Sequence, residues 1–201
     1  MTIKVSTKQL TQTVAPAAEP VTVAEMKAHL HVTGTDSDII IGAQLTAARE
    51  LVENHLQRAL IQRTYRADLW CFATKIVLPR PLLASITNIK YYTPDSPQVL
   101  TTLGSTIFRA NLAFNYVYLD SGATLPSIAT RHDAVQITYV AGFAPSTDSP
   151  ISDHAANVPE AIKSAIKLVV GDMFENRERS SQLRIQELPT VNNLLAAYRE
   201  Y

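Results

Sequence analysis

Residues 48–65, ARELVENHLQRALIQRTY, lead from a helical pattern directly into a strand pattern. On the helical side, apolar residues recur at spacings of four, three, four and four positions, which predicts one amphipathic helix over about 38–57. Those apolar residues are Ile41, Leu45, Ala48, Val52 and Leu56. The stretch therefore places a long helix immediately before the first strand.

Short runs rich in β-branched and aromatic residues occupy the chain from Ile61 to Phe143. The runs are IQRTYRADLW, KIVLP, ITNIKYY, FNYVYLD and AVQITYVAGF, and turn-like segments such as PRP at 79–81 separate them. Because no helical pattern intervenes, we expect an antiparallel sheet or a small barrel.

Helical patterns also flank this β region. Thr22 and Glu25 form a capping-box pattern before a short helix, and a strong apolar stripe follows Pro159 to about Arg177. A last short helix begins near Thr190. The chain before the capping box has no clear period, and two prolines interrupt the polar stretch after the β region.

The predicted fold class is α+β, with a β domain inserted into a helical core. Residues 21–60 and 158–201 form the core, 61–143 the inserted domain, 1–20 an extended arm and 144–157 a linker.

Composition narrows the classes of function. The chain has 201 residues, 46% of them hydrophobic and 18% charged, with a formal net charge of zero. It can bury a core, and it lacks the basic excess of a dedicated nucleic-acid binder. One cysteine excludes a disulfide framework and a thiolate zinc site. No signal peptide or membrane span is expected, so we predict a soluble protein made in the cytosol.

Enzyme signatures are absent from the sequence: it contains no GxSxG, GxxxxGK[ST], GxGxxG or HExxH. His29 and His31 lack a third metal ligand, and His55 fits a partly buried, hydrogen-bonded histidine. Cys71 fits a buried structural thiol. We therefore predict no enzymatic activity, no catalytic or metal-binding residue and no cofactor.

Four patches of sequence, in this order and spacing, resemble the head–tail connector (adaptor, or head-completion) family of long-tailed phages and prophages. They are EPVTVAEMKAHLHV at 19–32, ARELVENHLQRALIQRTY at 48–65, the chain from VQITYVAGF to VPEAIKSAI at 135–166 with ENRE ending the helix, and LPTVNNLLAAYR at 188–199. The resemblance runs from about Glu19 to Tyr201, and the segment from Leu100 to Leu112 has no counterpart in it.

The resemblance implies a structural virion protein located in the neck, and in the host cytoplasm during assembly. Family members form a ring, typically of twelve subunits, under the portal protein. Such a ring extends the channel through which DNA passes and presents a surface to the next neck or tail protein. No membrane partner is implied.

Two sets of residues are candidates for these contacts. Apolar residues of the C-terminal segment are predicted to anchor to the portal or to a neighbouring subunit, with packing on the parent domain as the alternative: Leu188, Leu194, Leu195 and Tyr198. Basic residues in and after the third long helix are candidates for the DNA channel, with ion pairing on a solvated helix face as the alternative: Lys163, Lys167, Arg177 and Arg179.

A second hypothesis is a β module that binds a ligand, such as a carbohydrate, with the helices as a dimerisation element. Its aromatic platform would consist of Tyr91, Tyr92, Tyr116, Tyr118 and Tyr139. Ordinary packing of half-buried strand residues is the alternative explanation for these tyrosines.

Overall fold

The computed structural model describes residues 2–5, 9–120, 122–145, 154–176 and 188–199. The chain divides into two compact units, a β unit formed by residues 1–16 and 62–142 and a helical unit formed by residues 17–61 and 143–201. The helices are α1 (Val23–Leu30), α2 (Asp38–Leu56), α3 (Glu160–Glu175) and α4 (Pro189–Ala196). The strands are β1 (Thr2–Lys4), β2 (Leu10–Gln12), β3 (Arg63–Leu69), β4 (Lys75–Val77), β5 (Leu83–Tyr92), β6 (Leu100–Thr102), β7 (Phe108–Asn111), β8 (Tyr116–Leu119) and β9 (Val135–Ala141).

The five-stranded sheet of the β unit has the order β2-β3-β9-β5-β6, and all its pairs are antiparallel. Its central strand β9 pairs along its whole length with β3, from Val135 opposite Leu69 to Ala141 opposite Arg63. Side chains alternate between buried and half-buried along β3, because successive residues of a strand point to opposite faces. This sheet has the antiparallel pairing that the strand patterns predict.

The other sheet has four strands in the order β1-β4-β8-β7, and its β1–β4 pair is parallel. The expected single sheet or small barrel is therefore corrected to two sheets with one parallel pair. The difference arises from β1 and β7 of the four-stranded sheet, which are three and four residues long and carry too few side chains to show a period.

The sequence predicted residues 1–20 to be an extended arm, but the structure pairs part of this segment with the β unit as two strands. Its two strands lie at an edge of each sheet, with β1 against β4 and β2 against β3, and Val5 is buried. Backbone hydrogen bonds to a neighbouring strand form with almost any side chain, so a polar segment of low hydrophobicity becomes ordered at a sheet edge. Composition alone did not reveal this pairing.

The core of the helical unit forms where the apolar stripes of α2 and α3 meet. Ile41, Leu45 and Val52 of α2 are buried in it, as are Ile162 and Val169 of α3. The capping box before α1 is present, since the Thr22 hydroxyl accepts from the Glu25 amide and the Glu25 carboxylate accepts from the Thr22 amide. Within the described ranges, no helix is long and apolar enough to cross a membrane.

Candidate functional site

Helix α4 packs on the helical unit of its own chain. Leu195 is fully buried in the core, and Leu188, Leu194 and Tyr198 are partly buried against it. Leu195 therefore packs on its parent domain, which was the alternative to docking on a partner. Its side chain is not exposed in this structure. The other three side chains keep part of their surface exposed, so the docking hypothesis now concerns them.

His55 lies on α2 where this helix contacts α4. It is partly buried and forms a hydrogen bond with the Asn192 side chain of α4. Burial, together with the positive charge of Arg199, lowers the pKa of His55 below its ordinary value. Its Nε2 is buried without a hydrogen-bond partner. The histidine therefore favours its neutral form when α4 is packed on α2.

Lys163 and Lys167, the channel candidates on α3, lie close to carboxylates. The Lys163 ammonium is 2.8 Å from a Glu160 carboxylate oxygen, and both lysines help to lower the pKa of Glu25 at the start of α1, after the larger effect of the Thr22 amide. This arrangement matches the ion-pairing alternative at the first half of α3. The other two channel candidates, Arg177 and Arg179, lie outside the described residues.

A buried ionic cluster at Arg49 was missed by the sequence analysis. Arg49 and Glu53 are almost wholly buried, and the Arg49 Nε donates to Glu19 at 2.8 Å. One carboxylate oxygen of Glu53 accepts a hydrogen bond from the Arg49 guanidinium at 3.0 Å. The other oxygen accepts a hydrogen bond from the Leu60 amide at 2.9 Å. Although burial opposes it, the Glu53 and Glu19 carboxylates raise the pKa of Arg49 above its ordinary value. The charged residues between apolar positions at 48–56 were the only sequence signal, and that pattern is typical of a solvated helix face.

The five tyrosines of the ligand-binding hypothesis do not share one surface. Tyr139 is fully buried, and its hydroxyl donates to the Pro79 carbonyl at 2.8 Å. Tyr91 and Tyr92 lie on β5 of the five-stranded sheet, whereas Tyr116 and Tyr118 lie on β8 of the four-stranded sheet. The proposed platform of five tyrosines is therefore wrong, because Tyr139 is buried and cannot contact a ligand at the surface.

The cysteine and histidine candidates form no metal site within the described ranges, where no group of three or more ligating side chains comes together. Cys71 is a free thiol of intermediate exposure rather than a buried one, since it follows the end of β3 beside the exposed Trp70. The side chain of Arg131 closes on Asp133 with two hydrogen bonds and stacks 3.7 Å from the ring centroid of Tyr92. These contacts stabilise the turn before β9.

By sequence, the chain is similar to a curated phage protein, and no family model matches the chain. The relative is the head completion protein gp6 of Enterobacteria phage HK97, with 33% identity over 54 residues. The matched region is 27% of this chain and 50% of the relative, so the chain spans about half the length of the curated relative it matches.

Solved structures similar to this chain include chains from the necks and virions of gene transfer agent (GTA) particles. A chain in the neck of an empty GTA particle, computed with C6 symmetry, matches with a TM-score of 0.74 and 23% identity. A chain in the neck of a native particle, computed with C12 symmetry, matches at 0.71 and 25%. Both matches cover 96% of this chain and 95% of the other. The resemblance that the four sequence patches indicated is thus confirmed: the chain has the fold of a GTA neck protein and shares sequence with a phage head completion protein.

Proposed function

We propose that this chain is a structural neck protein that completes the head of a phage or GTA particle and connects it to the tail. The observation that carries the proposal is the match over 96% of the chain to a neck protein at a TM-score of 0.74, which includes both the helical and the β unit. The sequence shared with a head completion protein supports the same role independently of the fold.

Within that role, the chain forms a homo-oligomeric ring, with twelve subunits as the expected number. The ring sits between the portal protein and the next neck or tail protein, and DNA passes through its centre. The sixfold and twelvefold symmetry of the similar neck structures supports a ring. Such closed rings need heterologous contacts, in which different faces of neighbouring subunits meet.

Deletion of the gene tests this function in the particle that encodes it. We expect filled heads without attached tails, and restoration of tailed particles by the chain supplied in trans. A peptide tag on the chain should label the head–tail junction in electron micrographs. Normal tailed particles after deletion, or label elsewhere on the particle, would contradict the proposal.

The contact with the portal is proposed to use the exposed surface of α4 and of the turn that follows it. Leu194 and Tyr198 are only partly buried, so their substitution by alanine should weaken portal binding while leaving the helical signal in circular dichroism intact. Asn193→Ala, at an exposed position of the same helix, is the matched control. Unchanged portal binding by both the Leu194 and the Tyr198 variant would exclude α4 as the anchor.

The proposed channel role of Lys163 and Lys167 has a separate test. Replacing both by glutamine removes two positive charges from α3, and a channel role predicts slower or incomplete DNA ejection from assembled particles. If the lysines only neutralise Glu160 and Glu25, ejection stays normal and the helical unit alone loses some stability.

A further inference from the structure

The net charge of zero conceals two units of opposite charge. The β unit contains nine lysines and arginines but only four aspartates and no glutamate, a formal charge of +5. The helical unit contains nine lysines and arginines against fourteen acidic residues, a formal charge of −5. A chain of this kind has an attractive long-range interaction with a second copy in which opposite units meet.

One surface of the β unit combines positive charge with uncovered aromatic rings. On β8, Tyr116 and Tyr118 point away from the face on which Val117 is buried. Lys75 lies opposite Tyr118 on β4, and its ammonium is 4.1 Å from the ring centroid of Tyr116. The same outward face therefore presents both cations and rings.

The turn between β7 and β8 extends this surface. Phe114 is 71% exposed and stacks on Tyr116 with ring centroids 6.4 Å apart. Arg109 lies opposite Tyr118 on β7 and pairs with Asp120. We call this surface the basic aromatic face; it consists of Lys75, Arg109, Phe114, Tyr116 and Tyr118.

One end of the helical unit combines exposed apolar side chains with negative charge, which complements the basic aromatic face. Ile39 and Ile40, in the first turn of α2, are 87% and 43% exposed. The last turn of α3 lies at the same end, because the Gln44 side chain donates to the Met173 carbonyl. The exposed carboxylates of Asp36 and Glu175 lie there as well. We call this surface the acidic isoleucine end; it consists of Asp36, Ile39, Ile40 and Glu175.

We propose that the basic aromatic face of one copy binds the acidic isoleucine end of the next copy. Each surface offers apolar side chains that the chain itself leaves exposed, together with charge of the opposite sign. Duplex DNA would also match the cations, but it provides no partner for the isoleucines, so a second copy accounts for more of the observed surface. The contact is heterologous and repeats from copy to copy.

This inference deepens the proposed function, because it assigns the contact from which the ring is built. The contact is a property of the chain alone and predicts self-association without portal or particle. Sedimentation velocity of the purified full chain over a wide concentration range should show it. The dissociation constant should rise between about 0.1 M and about 1 M salt, where the Debye length falls from about 10 to about 3 Å.

Charge reversal locates the two surfaces. Lys75→Glu and Glu175→Lys should each weaken self-association by about tenfold or more, since like charges then face each other. A mixture of these two variants should associate again, because the reversed face of one matches the reversed end of the other. Lys90→Glu on β5 and Glu160→Lys in the first turn of α3 are matched controls with the same charge changes elsewhere. Circular dichroism of each variant checks folding.

Three results would overturn the inference. The first is a wild-type chain that stays monomeric at every concentration in low salt. The second is unchanged self-association of both charge-reversal variants. The third is a Lys75→Glu variant that loses affinity for a duplex DNA probe but assembles normally. None of these three results would contradict the proposed neck function, which the gene deletion tests separately.

Discussion

The guanidinium of Arg49 lies 3.0 Å from the carboxylate of Glu53, one turn further along α2, and both side chains are almost completely buried. The same carboxylate accepts the Leu60 amide, and the same guanidinium binds Glu19. The pair thus fixes two chain segments, just after residue 17 and just before residue 61, that lie near the boundaries of the helical unit. A role in holding these boundaries explains why charges are buried in an otherwise apolar core.

Arg49→Met should lower the free energy of unfolding of the helical unit by about 3–5 kcal/mol, because it breaks the buried ion pair with Glu53 by removing one partner. Urea unfolding followed by far-UV circular dichroism measures the helices, and fluorescence of the single Trp70 measures the β unit separately. Glu50→Ala is the control, since the 63% exposed Glu50 carboxylate lies 3.6 Å from Arg49 and should contribute less than about 1 kcal/mol. Equal losses in both variants would contradict the assigned role.

Leu195→Ala should cost about 2–5 kcal/mol, because its side chain is fully buried where α4 meets the core. Leu194→Ala removes the same number of atoms from a half-buried position and should cost clearly less. Thermal unfolding of the two variants side by side makes the comparison. Similar melting temperatures would show that α4 is not packed on the core in solution.

Acidification should destabilise the packing of α4 through His55. The pKa of His55 in the folded chain lies below that of the unfolded chain, so the unfolded state binds the proton more tightly. This contribution to stability is complete above about pH 6.5 and is lost as the pH falls below it. Unfolding of the wild type and of His55→Gln at several pH values between about 5 and 8 should show a smaller slope in the variant.

Two neighbours of His55 allow the sign to be checked. Arg199→Ala removes a charge that lowers the pKa of His55, so the pH dependence should become smaller. Asn192→Ala removes a hydrogen bond that raises this pKa, so the pH dependence should become larger. Shifts of the same sign in both variants would rule out the proposed environment of His55.

Thr22→Ala should cost about 1 kcal/mol, because the α1 amide of Glu25 loses its side-chain acceptor. Thr22→Ser keeps the hydroxyl and should remain near the wild type. Urea unfolding followed by circular dichroism distinguishes the two. A serine variant as unstable as the alanine variant would mean that the threonine methyl group, rather than the cap, stabilises the helix start.

Patterns within a single element were readable before the structure. The apolar stripe over 41–56 predicted α2, and the capping box at Thr22 predicted the start of α1. The β-rich run AVQITYVAGF predicted β9, in which Tyr139 is buried and its hydroxyl donates a hydrogen bond to the Pro79 carbonyl. Burial consequently raises the pKa of Tyr139.

Candidate contacts were less predictable, because a pattern of residue types does not say what covers a side chain. The apolar face of α4 fits a partner and the parent core equally well, and only the structure shows Leu195 inside its own unit. Lys163 has the same ambiguity, because its 2.8 Å contact with Glu160 fits the ion-pairing alternative and the channel role stays a prediction. The exposed residues Ile39 and Phe114 looked like ordinary members of a helix and a strand region.

By itself, the sequence determined the helices, the long strands, the α+β class and the resemblance to connector proteins, because periodicity and caps are local properties of neighbouring residues. Only the tertiary structure decided that the β region forms two sheets, that the N-terminal segment completes both, and that Arg49 lies in a buried ionic cluster. Those features depend on hydrogen bonds and ion pairs between residues far apart in the chain. The opposite charges of the two units also emerged only once the structure had assigned each residue to its unit.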